Sequence, residues 1–372
     1  MEIRLNITSN SIINKNDGGT LMKKMGLFLL ILAFAILGAC SNNEGASKPE
    51  NEGVSKPENE GAVDSELEEA KAKFEVLGAM TIPEDNPMTD EKIELGKLLF
   101  FDPRLSGNNV QSCMSCHAPG AGYGDGMAKF VGFEGAKGAR NSPTIINSGY
   151  YEENFWDGRA GSLEEQAVGP IQSEVEMNQN LDELVTELNA VPAYVEKFNS
   201  IFDEQISADN IAKALAAFER TIVISDTAFD RYLQGDDDAI SAEAKEGMKL
   251  FVGKASCITC HSGPLLSDHN YHNLGMTDDD GRFAVTENEE DKGKFRTSGL
   301  RGIGHTSPYM HDGSLETLKD VVNYYNVGGG VHPNKSDLMN PLDLTESEVD
   351  ALVAFLESLN GELPKIDTPE LP

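Results

Sequence analysis

Basic residues are scarce in this chain: Lys and Arg number 30 against 62 Asp and Glu, a formal charge of -32 over 372 residues. Phosphate backbones and anionic lipid headgroups repel such a molecule, which excludes nucleic acid and an anionic membrane surface as partners. The same charge would steer in a basic partner, or it would only keep a solvated N-terminal segment in solution, and composition does not choose between the two. Aromatic residues are few as well, 7% with a single Trp. Apolar runs are short, since the stretch from Gly26 to Ala39 has 14 residues against the ~20 needed to span a bilayer. Cysteine is limited to five, four of which fall into two groups of identical spacing.

Those groups are Cys113-Met114-Ser115-Cys116-His117 and Cys257-Ile258-Thr259-Cys260-His261. Cysteines three apart share one face of a helical turn, so both sulfurs can form thioethers with one porphyrin while the following histidine reaches its iron. A redox Cys-x-x-Cys pair or half of a zinc site would account for the cysteines but not for a histidine in the same place twice. The chain is therefore expected to carry two c-type haems, with His117 and His261 as axial ligands. Each haem adds a large apolar body to its core, which offsets the shortage of aromatic side chains. The length suits two domains of ordinary size plus a tail.

Cys40 is the cysteine left over. Lys23 and Lys24 precede the apolar run, which ends Leu37-Gly38-Ala39-Cys40, small residues placed as for signal-peptidase cleavage. This resembles a bacterial lipobox and implies an exported chain with a signal peptide over 1–40, lipidation of Cys40 and attachment to a membrane by that anchor only. Ser41 after it is similar to sequences sorted to the outer membrane, facing the periplasm. Residues 41–64 repeat Ser-Lys-Pro-Glu-Asn-Glu and read as a disordered tether. Helical signals are expected over Ser65–Phe74, Thr89–Phe101, Leu181–Phe202, Ser207–Ile222, Ser241–Phe251, Leu315–Val327 and Thr345–Leu359. The fold class is all-α, with two cytochrome c-like domains at 65–225 and 226–372.

Further motifs stand between the haem sites: Arg140-Asn141-Ser142-Pro143-Thr144, Phe155-Trp156-Asp157-Gly158-Arg159, Ser162 to Gln166, and Gly169-Pro170-Ile171 through Glu176. With Thr306-Ser307-Pro308-Tyr309-Met310-His311-Asp312-Gly313, this order resembles the bacterial di-haem cytochrome c peroxidases and the MauG-type enzymes, from about Lys92 to about Asn360. The resemblance implies that His117 is the proximal ligand of the peroxide-reacting haem and that Glu176, Gln166 and Pro170 line its distal pocket. Trp156 would relay electrons between the haems, and a calcium ion would bind Asn141 and the backbone carbonyls of Thr306 and Pro308. Read without the family, Glu176 is a solvated carboxylate, Trp156 a core residue and Asn141 a turn residue.

Two departures matter. No histidine lies between His117 and His261, and Phe133 falls where many family members carry the histidine that blocks the first haem, so that haem is expected to be open without reductive activation. Leu318, Val321, Val322 and Tyr325 recur at helical spacing, which turns Tyr325 to the buried face. There the classical peroxidases carry a methionine ligand and the MauG type a tyrosine. Tyr325 is expected to ligate the second haem, with Met276, Met310 and Met339 as the alternatives.

The expected function is a peroxidase that reduces hydrogen peroxide with electrons from a small cytochrome c or cupredoxin. The alternatives are a MauG-like enzyme that oxidises side chains of a partner protein through a bis-ferryl state, and a non-catalytic di-haem electron carrier. Homodimer formation is left open.

Overall fold

The computed structural model describes residues 64–276 and 278–372. The signal peptide with Cys40, and the tether up to residue 63, lie outside them. Among the described residues the helices are α1 (Ser65–Lys71), α2 (Asp90–Phe101), α3 (Leu163–Gln172), α4 (Leu181–Asn189), α5 (Pro192–Phe202), α6 (Ala208–Glu219), α7 (Ala228–Leu233), α8 (Ala242–Val252), α9 (Phe283–Thr286), α10 (Leu318–Asn326) and α11 (Glu346–Ser358). One antiparallel ladder joins β1 (Tyr271–His272) to β2 (Phe295–Arg296), pairing Tyr271 with Arg296. None of these helices is long and apolar enough to cross a membrane.

Local chemistry explains the boundaries. Thr89, Ser162, Ser207, Ser241, Thr317 and Thr345 each cap a helix by accepting a backbone N–H three residues on, which satisfies a donor that the first turn leaves free. Asp64 caps α1 in the same way and so belongs to the folded part rather than to the tether. The stretch 181–202, expected as one helix, is two. Pro192 has no N–H to continue α4 and instead opens α5 at its first position, where the donor is not needed.

The helices surround two apolar cores. The first gathers α2 to α6 around Leu99, Phe100, Phe198, Leu215 and Phe218. The second gathers α1, α7, α8, α10 and α11 around Phe229, Met248, Phe251 and Phe355. Each core is built on one close helix crossing, α2 on α6 and α8 on α11, and each crossing has a glycine at its centre. A Cβ on Gly96 would lie 1.9 Å from the Ala214 carbonyl oxygen, and one on Gly247 would lie 1.9 Å from that of Ala351. Both distances are far inside contact, so only glycine lets the backbones approach.

The chain ends depart from the expected boundaries at 65–225 and 226–372. Helix α1 and Phe74 pack on the second core, while Leu363, Ile366 and Leu371 cross back to the first. Tyr123 holds that return by donating its hydroxyl to the Pro364 carbonyl at 2.5 Å.

Arg301 anchors the stretch 295–302. Its guanidinium pairs with Asp230 at 2.6 Å, both side chains being 1% exposed, and also donates to the Pro264 carbonyl. Arg301→Met would strand the Asp230 carboxylate in the core. A loss of about 3–5 kcal/mol is expected, read as a lower urea midpoint, whereas an unchanged midpoint would show the pair to be dispensable.

Candidate functional site

Both Cys-x-x-Cys-His groups form the same tight turn. The N–H of His117 donates to the Cys113 carbonyl at 3.0 Å, and that of His261 to the Cys257 carbonyl at 2.9 Å. Each imidazole is then oriented by a carbonyl further along: Nδ1 of His117 lies 3.1 Å from the Tyr123 oxygen and Nδ1 of His261 3.1 Å from the Leu266 oxygen. A carbonyl can only accept, so Nδ1 carries the proton and Nε2 presents its lone pair, the arrangement of a metal-ligating histidine. Burial, only partly offset by those bonds, lowers the pKa of both rings and keeps them in the neutral, ligating form.

Around the first turn the structure gathers carboxyl groups. Helix α3 carries Gln166 and Pro170 on one face, four residues apart, and the chain then turns back so that the N–H of Glu176 meets the Ser173 carbonyl. The glycine-rich loop locks this turn, because Phe133 donates its N–H to the Glu176 carbonyl at 2.9 Å and a Cβ on Gly132 would strike Val175. Burial raises the pKa of Glu176 against the opposing Ser173 hydroxyl and Arg159 charge. Burial, and then the charges of Asp125 and Glu176, push the Cys116 thiol up to about 11.

Two acids here were not anticipated. Asp125 keeps one carboxylate oxygen buried without a hydrogen-bond partner among the described residues. Glu219, at the end of α6, is pushed up to about 8 by burial, and its charge acts on Cys113. Asp125 sits alone in a glycine-rich loop and Glu219 at a helix end, so no spacing announced either. Arg159 pairs with Asp157 at 3.0 Å and covers the Phe155 ring.

The second turn opens into a cavity of about 510 Å³, lined by Cys257, Cys260, His261, Leu265, Val322 and Tyr325 among others. Its walls are apolar and its size is that of a cofactor pocket, so this donor set fits a covalently bound haem. Tyr325 hangs from α10 into it, as the spacing predicted, while Tyr324 turns away and donates to the Leu274 carbonyl. The Tyr325 hydroxyl has no hydrogen-bond partner among the described residues. Burial and then the two cysteines raise its pKa. Met276, Met310 and Met339 border the same cavity.

Between the sites runs the segment 140–143. Ser142 donates its hydroxyl to the Cys116 carbonyl at 3.1 Å, on the first side. Asn141 accepts the Trp156 indole N–H at 2.9 Å, and Trp156 lines the second cavity. The Asn141 side-chain N–H donates to the Met127 carbonyl. The carbonyls of Thr306 and Pro308, on the same cavity wall, accept no backbone hydrogen bond.

Residues 90–238 match the family model described as di-haem cytochrome c peroxidase, and residues 244–360 match that of cytochrome c. A cytochrome-c peroxidase of Denitromonas iodatirespirans is 42% identical over 341 residues, covering 81% of this chain and 91% of its own. The methylamine utilization protein MauG of Methylorubrum extorquens is 42% identical over 308 residues, covering 81% and 87%. Among solved structures, a MauG-like protein associated with microbial copper homeostasis superposes with a TM-score of 0.71 at 34% identity, over 77% of this chain and 94% of the other. With two haem-attachment turns, two cores and these relatives, the chain belongs to the di-haem cytochrome c peroxidase and MauG family.

Proposed function

We propose that the protein reduces hydrogen peroxide to water at the site around Cys113, Cys116 and His117, drawing electrons through the site around Cys257, Cys260 and His261. The haems would supply the redox chemistry when bound. Reduction of one peroxide takes two electrons and two protons, and Glu176 is placed to move a proton between the two peroxide oxygens, with Gln166 and Pro170 shaping the pocket beside it. The observation that carries this reading is the pair of Cys-x-x-Cys-His turns, each with its histidine bonded through Nδ1 to a carbonyl so that Nε2 is left to bind iron. Trp156 relays electrons between the sites, and calcium at Asn141, Thr306 and Pro308 would hold the segment against which the indole is fastened.

Tyr325 would complete the ligation of the second haem iron. Its phenol lines the cavity beside Cys257, Cys260 and His261, and a phenolate ligand stabilises oxidised iron. The same feature favours a second reading, in which the electrons come from side chains of a docked protein as in the MauG type. The donor in the first reading is a small, basic cytochrome c or cupredoxin steered by the acidic surface. We place the enzyme outside the cytoplasm, tethered through lipid on Cys40, with the domains dividing near residue 225.

The test is a peroxide titration of the diferric protein without prior reduction, followed optically. Oxidation of both haems supports the reading. No reaction until one haem is reduced would sink the open first site. In Tyr325→Met the second haem is expected to shift to a higher potential and to withstand peroxide oxidation. A spectrum and potential identical to wild type would remove Tyr325 as ligand.

A further inference from the structure

Beside Trp156 lies a tyrosine for which the reaction above has no use. Tyr271 stands in β1, paired with Arg296, whose N–H donates to the Trp156 carbonyl at 2.9 Å. Its hydroxyl donates to the Glu153 carboxylate at 2.5 Å. It also abuts Gly158, two residues after Trp156, where a Cβ would fall 1.7 Å from the phenol oxygen. Arg282 fixes the group from three directions: it pairs with Glu153 at 2.9 Å, donates to the Asp157 and Gly158 carbonyls at 2.8 Å each, and lies over the Tyr271 ring. On its other side Tyr271 borders a surface groove with Glu289, Glu290 and Leu338.

A phenol gives up an electron readily only when its proton can leave at the same moment, and that requires a base within hydrogen-bond reach. Tyr150, Tyr309 and Tyr324 donate to backbone carbonyls, which cannot take a proton. Tyr194 has a carboxylate, Asp102, but sits on α5 in the first core. Tyr271 alone among these combines a carboxylate partner with contact to the Trp156 segment. The Tyr271 hydroxyl and Arg282, working against burial, hold the Glu153 carboxyl below its ordinary range, so it is ionised and has an open oxygen lone pair on the phenol proton.

We propose that Tyr271 is a proton-coupled redox relay, with Glu153 as its proton acceptor, connecting Trp156 to the surface groove. This rests on the peroxidase reading above. When peroxide has withdrawn two electrons and no donor is docked, the Tyr271 O–H bond breaks. The electron passes to Trp156 and replaces one of the two, the proton moves to Glu153, and a neutral phenoxyl remains. An electron from an external donor at the groove, with the proton returning from Glu153, restores the phenol. Gly158 is a positioning residue, since any side chain there would push the phenol away.

The experiment mixes the diferric holoprotein with peroxide in the absence of donor, freezes it and records electron paramagnetic resonance, with ring-deuterated tyrosine to identify the signal. A tyrosyl signal is expected in wild type, at least tenfold weaker in Tyr271→Phe and in Glu153→Gln, with haem optical spectra confirming that each variant is loaded. Glu153→Gln keeps the phenol and carries the test should Tyr271→Phe fail to take up haem. A tyrosyl signal of wild-type strength in either loaded variant overturns the relay. Peroxide consumed by wild type without a tyrosyl signal overturns it while leaving the peroxidase reading intact. No peroxide consumption overturns both.

Discussion

Glu176→Gln is expected to lower peroxide turnover by roughly 10²–10⁴-fold, the range that a positioned acid–base group contributes, while both haems remain attached. Glutamine preserves the shape of the side chain, and the turn that carries it depends on backbone bonds, from Glu176 N–H to Ser173 and from Phe133 N–H to the Glu176 carbonyl. The loss would therefore report chemistry rather than folding. The pH profile sharpens the test. Accepting a proton requires the carboxylate, so the rate falls as pH drops through the pKa of Glu176. Because burial outweighs the Ser173 hydroxyl and the Arg159 charge, that fall comes at higher pH than the ordinary glutamate value of 4.5. The residual rate of Glu176→Gln should lack this acid limb, and a variant with wild-type turnover would end the acid–base assignment.

Trp156→Phe is expected to confine oxidation to the first haem. The indole borders the second cavity and is fastened to Asn141, whose neighbour Ser142 bonds the Cys116 carbonyl, so it occupies the short connection between the sites. Phenylalanine fills most of the same volume but is far harder to oxidise. The structural cost is one hydrogen bond, a net ~0.5–1.5 kcal/mol, which leaves the fold in place. Rapid-scan optical spectra after peroxide should show the second haem unchanged during the time in which wild type oxidises both. Oxidation of both haems at the wild-type rate would mean that electrons pass by another route.

Much of the site was legible because covalent chemistry dictates spacing. Thioether formation demands two cysteines three apart and a histidine next, and no tertiary contact alters that requirement. Tyr325 was legible for a different reason: the 3.6-residue period of α10 places it on the face of Leu318 and Val322, so its entry into the cavity follows from local geometry. Helix starts were legible at Thr89, Ser207, Ser241 and Thr345, whereas the helix expected from Leu315 begins at Leu318 behind Thr317 and those behind Ser162 and Thr227 were missed. The long helix over 181–202 was misread because its apolar period continues across Pro192, although the missing N–H divides it.

The residues that escaped have partners far along the chain. Gly96 and Gly247 look like weak helix positions until the carbonyls of Ala214 and Ala351 arrive against them. Asp125 and Glu219 read as ordinary surface acids until folding withdraws an Asp125 oxygen and the whole of Glu219 from water. By itself, then, the sequence determined the cofactor type, the two attachment sites, the helical class and the candidates for catalysis, all of which rest on spacings of a few residues. The tertiary structure decided which core each chain end joins and how far burial moves each carboxyl. It also brought Glu153 to Tyr271, 118 residues away. Periodicity carries no information across such a span; only packing two cores against a shared segment brings those groups within a hydrogen bond, and burial then sets what they can do.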